Sequence, residues 1–187
     1  MTVNRKKRAG RPTGKQGTLS KEVIVNTAKR LLREKGKVPS IRMVSSDLDI
    51  DAMALYHYFS NKAELLEAVT VSLVEEIYEP VESKDWKREL TKLCTSYLRL
   101  LKDHGGLMET MLSMSVEGPS EIFAKRLNAA LSPLNLDKKT LNDALALLGD
   151  YLHGYALAMH CCKDEAVLTV DMTKGPLKLY MQALEAS

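Results

Sequence analysis

A chain of 187 residues, 45% hydrophobic and 27% charged, holds enough apolar material for one large domain or two small ones with real cores. No apolar run approaches membrane-spanning length, and the basic N-terminus has no hydrophobic segment behind it to act as a secretory signal, so a soluble cytoplasmic protein is expected. Cys94, Cys161 and Cys162 sit at neither disulfide-framework nor zinc spacing, which fits reduced thiols and excludes a disulfide scaffold.

The net charge of +3 is unevenly placed: Arg5, Lys6, Lys7, Arg8, Arg11 and Lys15 lie in a stretch with no acid, which leaves the remainder of the chain at −3. A basic arm on a mildly acidic body suits a polyanion bound at one end only. Residues 1–19 therefore read as a basic disordered arm, with two uses open to it. It is a solvated tail, or its Arg8-Ala9-Gly10-Arg11-Pro12, similar to an AT-hook core, lays arginines along a narrow minor groove.

Ser20 is a suitable N-cap for a first amphipathic helix, in which Val23, Ile24, Thr27, Ala28, Leu31 and Leu32 recur at three and four before Gly36 closes it. Pro39-Ser40 restarts the chain. Ser40 caps a second short helix carrying Ile41, Val44 and Leu48; its hydroxyl and the free amides there serve as a cap alone or also hold a DNA phosphate. After a break at Asp49, Asp51 caps a third helix on which Leu55 and Phe59 recur four apart. Two short helices about a tight turn make a helix-turn-helix, whose second helix enters the major groove while the first crosses the backbone.

On that second helix the outward positions are Ala52, Met53, Tyr56 and His57. Ala52 and Met53 can touch thymine methyls, His57 can donate to a base or phosphate, and the Tyr56 hydroxyl can reach backbone oxygen. It carries no Arg, Asn or Gln, so direct base readout should be modest, with groove shape, the arm and Arg42 supplying more.

Leu55-Tyr56-His57-Tyr58-Phe59, followed by Lys62, Leu65 and Leu66, resembles the signature of the tetracycline-repressor (TetR) family, and the likeness extends over about residues 20–77. That family usually has Gly in the turn, where φ is positive; here Asp49 stands there, tolerated with some strain. The resemblance implies that Lys62, in the first turn of the next helix, clamps a phosphate. It also implies a C-terminal small-molecule pocket whose occupation tilts the DNA-binding heads apart, and a dimer joined through the last two long helices.

That next helix opens at Asn61, with Glu64 completing a capping box, and its apolar rhythm through Leu65, Leu66, Val69, Leu73 and Ile77 predicts that it runs to Pro80. The C-terminal half, 81–187, reads as helical throughout and as the regulatory and dimerisation domain, against 20–80 as the DNA-binding domain. One helix carries Trp86, Leu90, Leu93, Tyr97, Leu100 and Leu101 as far as Gly105-Gly106. A shorter one is ended by Gly118-Pro119, a third runs from about 120 to 131, and a long one from about 137 to 163 is apolar almost all round. Gly175-Pro176 opens a short last helix.

Trp86, Tyr97, Met108, Met111, Met114 and Phe123 are the residues available to line an adaptable apolar cavity for a small apolar or amphipathic effector, although a Met stripe at helical spacing equally describes plain core. Leu147, Tyr151, Gly154 and Ala158 on the second side of the long helix, with Tyr180 on the last, are the expected contacts between two copies, Gly154 and Ala158 allowing close approach. His153 and His160 share a face, but no third ligand falls at a metal spacing, and neither metal nor cofactor is expected.

No phosphate loop, nucleophile elbow or catalytic pair calls for an enzyme. The sequence is thus expected to form an all-α, homodimeric, ligand-responsive repressor of a pseudo-palindromic double-stranded DNA operator. The rival readings are a helical protein-binding module and an accessory DNA-binding protein without an inducer.

Overall fold

In the computed structural model, residues 19–113, 118–162, 164 and 166–186 are described, with the backbone alone at 109, 112 and 113. The described residues form nine α-helices: α1 (Lys21–Lys35), α2 (Ile41–Asp47), α3 (Ala52–Tyr56), α4 (Lys62–Val74), α5 (Trp86–Asp103), α6 (Leu107–Ser113), α7 (Gly118–Leu131), α8 (Lys138–Cys161) and α9 (Lys174–Glu185). Two 3₁₀ turns, Ser132–Leu134 and Val170–Thr173, complete it, and the expected all-α class is what is observed, with no strand among the described residues. None of these helices is long and apolar enough to cross a membrane.

The helix starts follow local chemistry. Ser20, Ser40, Asp51 and Asn61 each accept a backbone N–H of the first turn they cap, so the orphan donors there are satisfied by side chains. At α4 the capping box closes one residue upstream of its usual place: Asn61 accepts the Glu64 N–H at 2.9 Å, while Glu64 Oε2 takes the N–H of Ser60 at 2.6 Å. Gly36 ends α1 at φ 62°, its N–H donating to Leu32 O at 2.9 Å.

Helices α1 to α4 fold about Ile24, Leu32, Val44, Leu55 and Leu65, and the same apolar core runs unbroken into α5, α7 and α8 through Leu73, Leu90, Leu98, Leu127 and Leu148. Helix α4 packs on both sides of this seam, against α1 and against α6 and α7. It is shorter than its apolar rhythm predicts. It stops at Val74, not near Pro80, because Arg126 from α7 takes the carbonyls of Val74 (3.0 Å), Ile77 (2.7 Å) and Glu75 (2.8 Å) in place of a continuing helical ladder. Gly118-Pro119 likewise begins α7 instead of terminating α6, since proline at the second helical position gives up only an N–H that has no intrahelical acceptor.

The segment between α4 and α5 is fastened by one buried carboxylate. Glu89 accepts the Tyr78 hydroxyl at 2.5 Å, Lys92 Nζ at 2.9 Å and the Val81 N–H at 3.2 Å, and Tyr78 N–H donates to Ser96 Oγ at 2.7 Å. The Tyr78 hydroxyl first, and Lys92 second, hold the Glu89 carboxyl down at about 2 from an ordinary 4.5. A carboxyl depressed in the folded state stabilises above its unfolded value and ceases to do so as pH falls through its folded one. Glu89→Gln should therefore lower the urea midpoint at pH 7, and the gap to wild type should narrow steadily as pH drops from about 4.5 towards 2. A gap independent of pH would show that the charge of Glu89 is not what holds the segment.

Candidate nucleic-acid interface

The second helix of the helix-turn-helix is a single short piece, α3, and its faces separate sharply. Leu55 and Phe59 are buried and hold it to α1 and α4, while Met53 is 67% exposed, Tyr56 46% exposed, and His57 is exposed where the helix ends. Ala52 is half-buried against the core, so it offers less surface than its position on the helix promises. Tyr58 turns inward, its hydroxyl donating to Leu19 O at 2.8 Å and tying α3 to the chain just before α1. Asp51 Oδ1 accepts the Met53 N–H at 2.8 Å, which commits this carboxylate to capping.

The turn before α3 has the backbone that the sequence implies: Asp49 lies at φ 53°, in the left-handed region. Ile50 N–H donating to Ser45 O at 3.0 Å fixes the angle between α2 and α3 despite the missing glycine. Along the flank of this face, Arg42 is exposed on α2 and Lys62 is exposed at the first position of α4. Ser40 is half-buried and accepts the Met43 N–H at 3.2 Å, so its hydroxyl is already engaged as a cap. Arg30 pairs with Glu34 and with Asp47 at the end of α2; the Asp47 carboxylate is the larger cause of its raised pKa. That pairing offsets the negative charge of Asp47 at the end of α2.

Arg5, Lys6, Lys7, Arg8 and Arg11 lie outside the described residues, as does Met114. The remaining residues named for a pocket pack instead of lining open space. Trp86, Tyr97, Met108 and Phe123 are buried and Met111 is half-buried. Tyr97 stacks on Phe123 with ring centroids 4.7 Å apart, and its hydroxyl meets His153 Nε2 at 2.7 Å. Burial pushes the Tyr97 hydroxyl pKa up and the His153 pKa down, so the pair is a neutral hydrogen bond inside the core. The large cleft lies elsewhere, between the α1–α2 loop, α4 and the ends of α5 and α8; of the five described residues named for a pocket, Met108 alone borders it.

Of the residues named for contact between copies, Leu147 (62%), Gly154 and Ala158 are exposed on one side of α8, joined by Leu157 at 51%. Tyr151 is half-buried beside Tyr155. Tyr180 works within the protomer, its hydroxyl donating to Ala144 O at 2.8 Å and fixing α9 on α8. His104, bonded to Leu100 O at 3.1 Å, His153 and His160 stay apart, and no three metal-ligating side chains converge among the described residues. Sequence reasoning missed Lys37 and Arg126: one is an unremarkable loop lysine, and the other acts on carbonyls some fifty positions away.

Residues 24–69, which include the whole helix-turn-helix, match the family described as "Bacterial regulatory proteins, tetR family". An HTH-type transcriptional regulator of Saccharopolyspora erythraea is 25% identical over 173 residues, covering 90% of this chain and 71% of the relative. In fold, the chain is similar to apo ActR of Streptomyces coelicolor (TM-score 0.78, 18% identity, 91% of this chain and 97% of that one). It is similar also to BioQ crystallised with its double-stranded DNA operator (TM-score 0.73, 21% identity, 91% and 100%). The outward Met53, Tyr56 and His57 thus stand on a head that matches the tetR family of bacterial regulatory proteins over residues 24–69.

Proposed function

We propose that the protein is a homodimeric repressor that binds a pseudo-palindromic DNA operator through two α3 helices and is released by a small-molecule effector. The observation that carries the reading is the face made by Met53, Tyr56 and His57, solvent-exposed on a helix anchored from its other side by the buried Leu55, with Arg42 and Lys62 beside it. Large apolar and aromatic side chains left in water at such a place are accounted for by a duplex that covers them. Two such faces related by a two-fold axis reach successive major grooves when they sit about 34 to 36 Å apart. ActR crystallised with actinorhodin and BioQ with its operator are folds of this kind with a small molecule and with DNA.

The division of labour follows from chemistry. Tyr56, Met53 and His57 meet bases and backbone at the groove, Arg42 and Lys62 hold phosphates, and the arm with Arg5, Lys6, Lys7, Arg8 and Arg11 adds sequence-independent attraction. Fluorescence polarisation with the promoter adjoining the protein's own gene, against scrambled DNA, tests this. Tyr56→Ala should weaken specific binding about tenfold, within the 1 to 3 kcal/mol of a good base-edge contact. Lys62→Ala should weaken binding to both DNAs alike and reduce the log-log salt slope by about 0.9. Unchanged affinity in both variants would remove this face from the interface.

A further inference from the structure

The cleft between head and body has a lining that, Lys62 apart, the operator reading does not use. It encloses about 750 Å³, within the range of small-molecule sites, and it is bordered by the α1–α2 loop, the start of α4, the end of α5, α6 and the last turns of α8. Its floor is apolar, from Leu66, Leu101 and Met108, and its polar side chains are Lys37, Lys62, His160 and Thr110, whose hydroxyl donates to Gly106 O at 3.1 Å. Among the described residues no carboxylate lines it, although the chain beyond the arm is net acidic. Among the described residues neither Lys37 nor Lys62, both exposed, forms an ion pair or hydrogen bond, so two ammonium groups border one apolar hollow with no described counter-charge.

The walls are closely fitted. A Cβ on Gly106 would stand 3.2 Å from Lys37 Cα and from Val38 N, and one on Gly105 would strike the His160 ring at 2.6 Å. The α5–α6 turn therefore lies directly on the loop that carries Lys37, and it holds the His160 imidazole at the cleft edge. These contacts position the lysine-bearing rim on the body, so whatever fills the hollow touches both.

We propose that this cleft binds an amphipathic organic anion, its apolar body on Leu66, Leu101 and Met108 and its carboxylate between Lys37 and Lys62. An ammonium is a compact charge with three donors, and two of them match the oxygens of one carboxylate. Because Lys62, on the operator reading, also holds a DNA phosphate, the bound anion and the duplex compete for the same ammonium. Effector and operator are then coupled through one shared side chain at the seam, not only through a tilt of the heads.

Isothermal titration calorimetry of the full-length protein without DNA, with decanoate and with 1-decanol as the neutral body of equal length, tests the site. Decanoate should bind once per protomer and about tenfold more tightly than 1-decanol. Lys37→Met should abolish that preference and Lys37→Arg should keep it. Equal affinities for the two probes in wild type, or a preference undiminished in Lys37→Met, would overturn the anion site. In the polarisation assay, saturating decanoate should weaken promoter binding by wild type and not by Lys37→Met; wild-type binding that persists at saturation would overturn the competition. A protein that binds no DNA would overturn the operator reading and the shared use of Lys62 together, and the calorimetry would still decide the anion site.

Discussion

Leu147→Glu should turn the dimer into a monomer in size-exclusion chromatography with light scattering and lower operator affinity at least a hundredfold. Leu147 is 62% exposed, and Leu157 and Leu179 are 51% and 68% exposed on α8 and α9, with Gly154 and Ala158 giving the same side of α8 a shallow profile. The Tyr180 to Ala144 bond holds α9 on α8 close to Leu147, so the apolar positions of the two helices lie near one another. In the proposed dimer this surface is covered by its own copy, and each position near a two-fold axis occurs twice. A glutamate there places two carboxylates in a newly dry interface, facing one another without a cation, which costs several kcal/mol. Operator affinity follows because the second head binds at an effective millimolar concentration only while joined to the first, and that advantage disappears with the dimer. Leu147→Ala, which shortens the side chain without adding charge, should weaken association and leave the dimer detectable. A Leu147→Glu protein that stays dimeric with its affinity intact would move the interface off this surface.

What could be read from the residues in advance follows a physical division between local and distant causes. Ser20, Ser40, Asp51 and Asn61 cap the helices that their side chains identify, and the positive φ of Asp49 is what the resemblance to the TetR family implies for the turn. The separation of Leu55 from Tyr56 follows helical spacing, whereas α3 ends at Tyr56 and Phe59 is buried beyond it. Helix ends set by tertiary partners were not visible. The pattern through Leu73 and Ile77 continues past Val74, and nothing nearby announces that Arg126 halts it. The aromatic and Met positions named for a pocket were ambiguous for a related reason, since one apolar spacing serves a packed core and a cavity equally. In this fold Tyr97 and Phe123 fill their own space, and the open volume falls where Gly105 and Gly106 let the body approach the α1–α2 loop.

Arg126→Met should lower unfolding free energy by about 2 kcal/mol and loosen the head on the body, with faster amide exchange confined to residues 74–78. The Arg126 guanidinium is the sole described donor from outside the segment to three carbonyls in the last turn of α4 and just beyond, those of Val74, Glu75 and Ile77. Its planar fork reaches three acceptors at once, and a cation at a helix C-terminus also meets the negative end of the helix dipole. Methionine keeps most of the aliphatic stem and its packing but removes the guanidinium from those carbonyls, of which Val74 O retains the Ile77 N–H at 3.2 Å; the loss is about 1 to 3 kcal/mol for buried acceptors, less where water replaces it. Arg126→Lys should recover only part of the loss, because one ammonium cannot span the three. The consequence for function runs along α4, whose first residue is Lys62 and whose last turn is held by Arg126 from α7. Releasing one end lets the helix change pitch, so the position of Lys62 relative to α3 becomes less defined, and operator affinity should fall severalfold while the dimer persists. If Arg126→Met binds promoter DNA as wild type does and its exchange at 74–78 is unaltered, the guanidinium is a passive cap and the pitch of α4 is set by its packing on α1 and α7 instead.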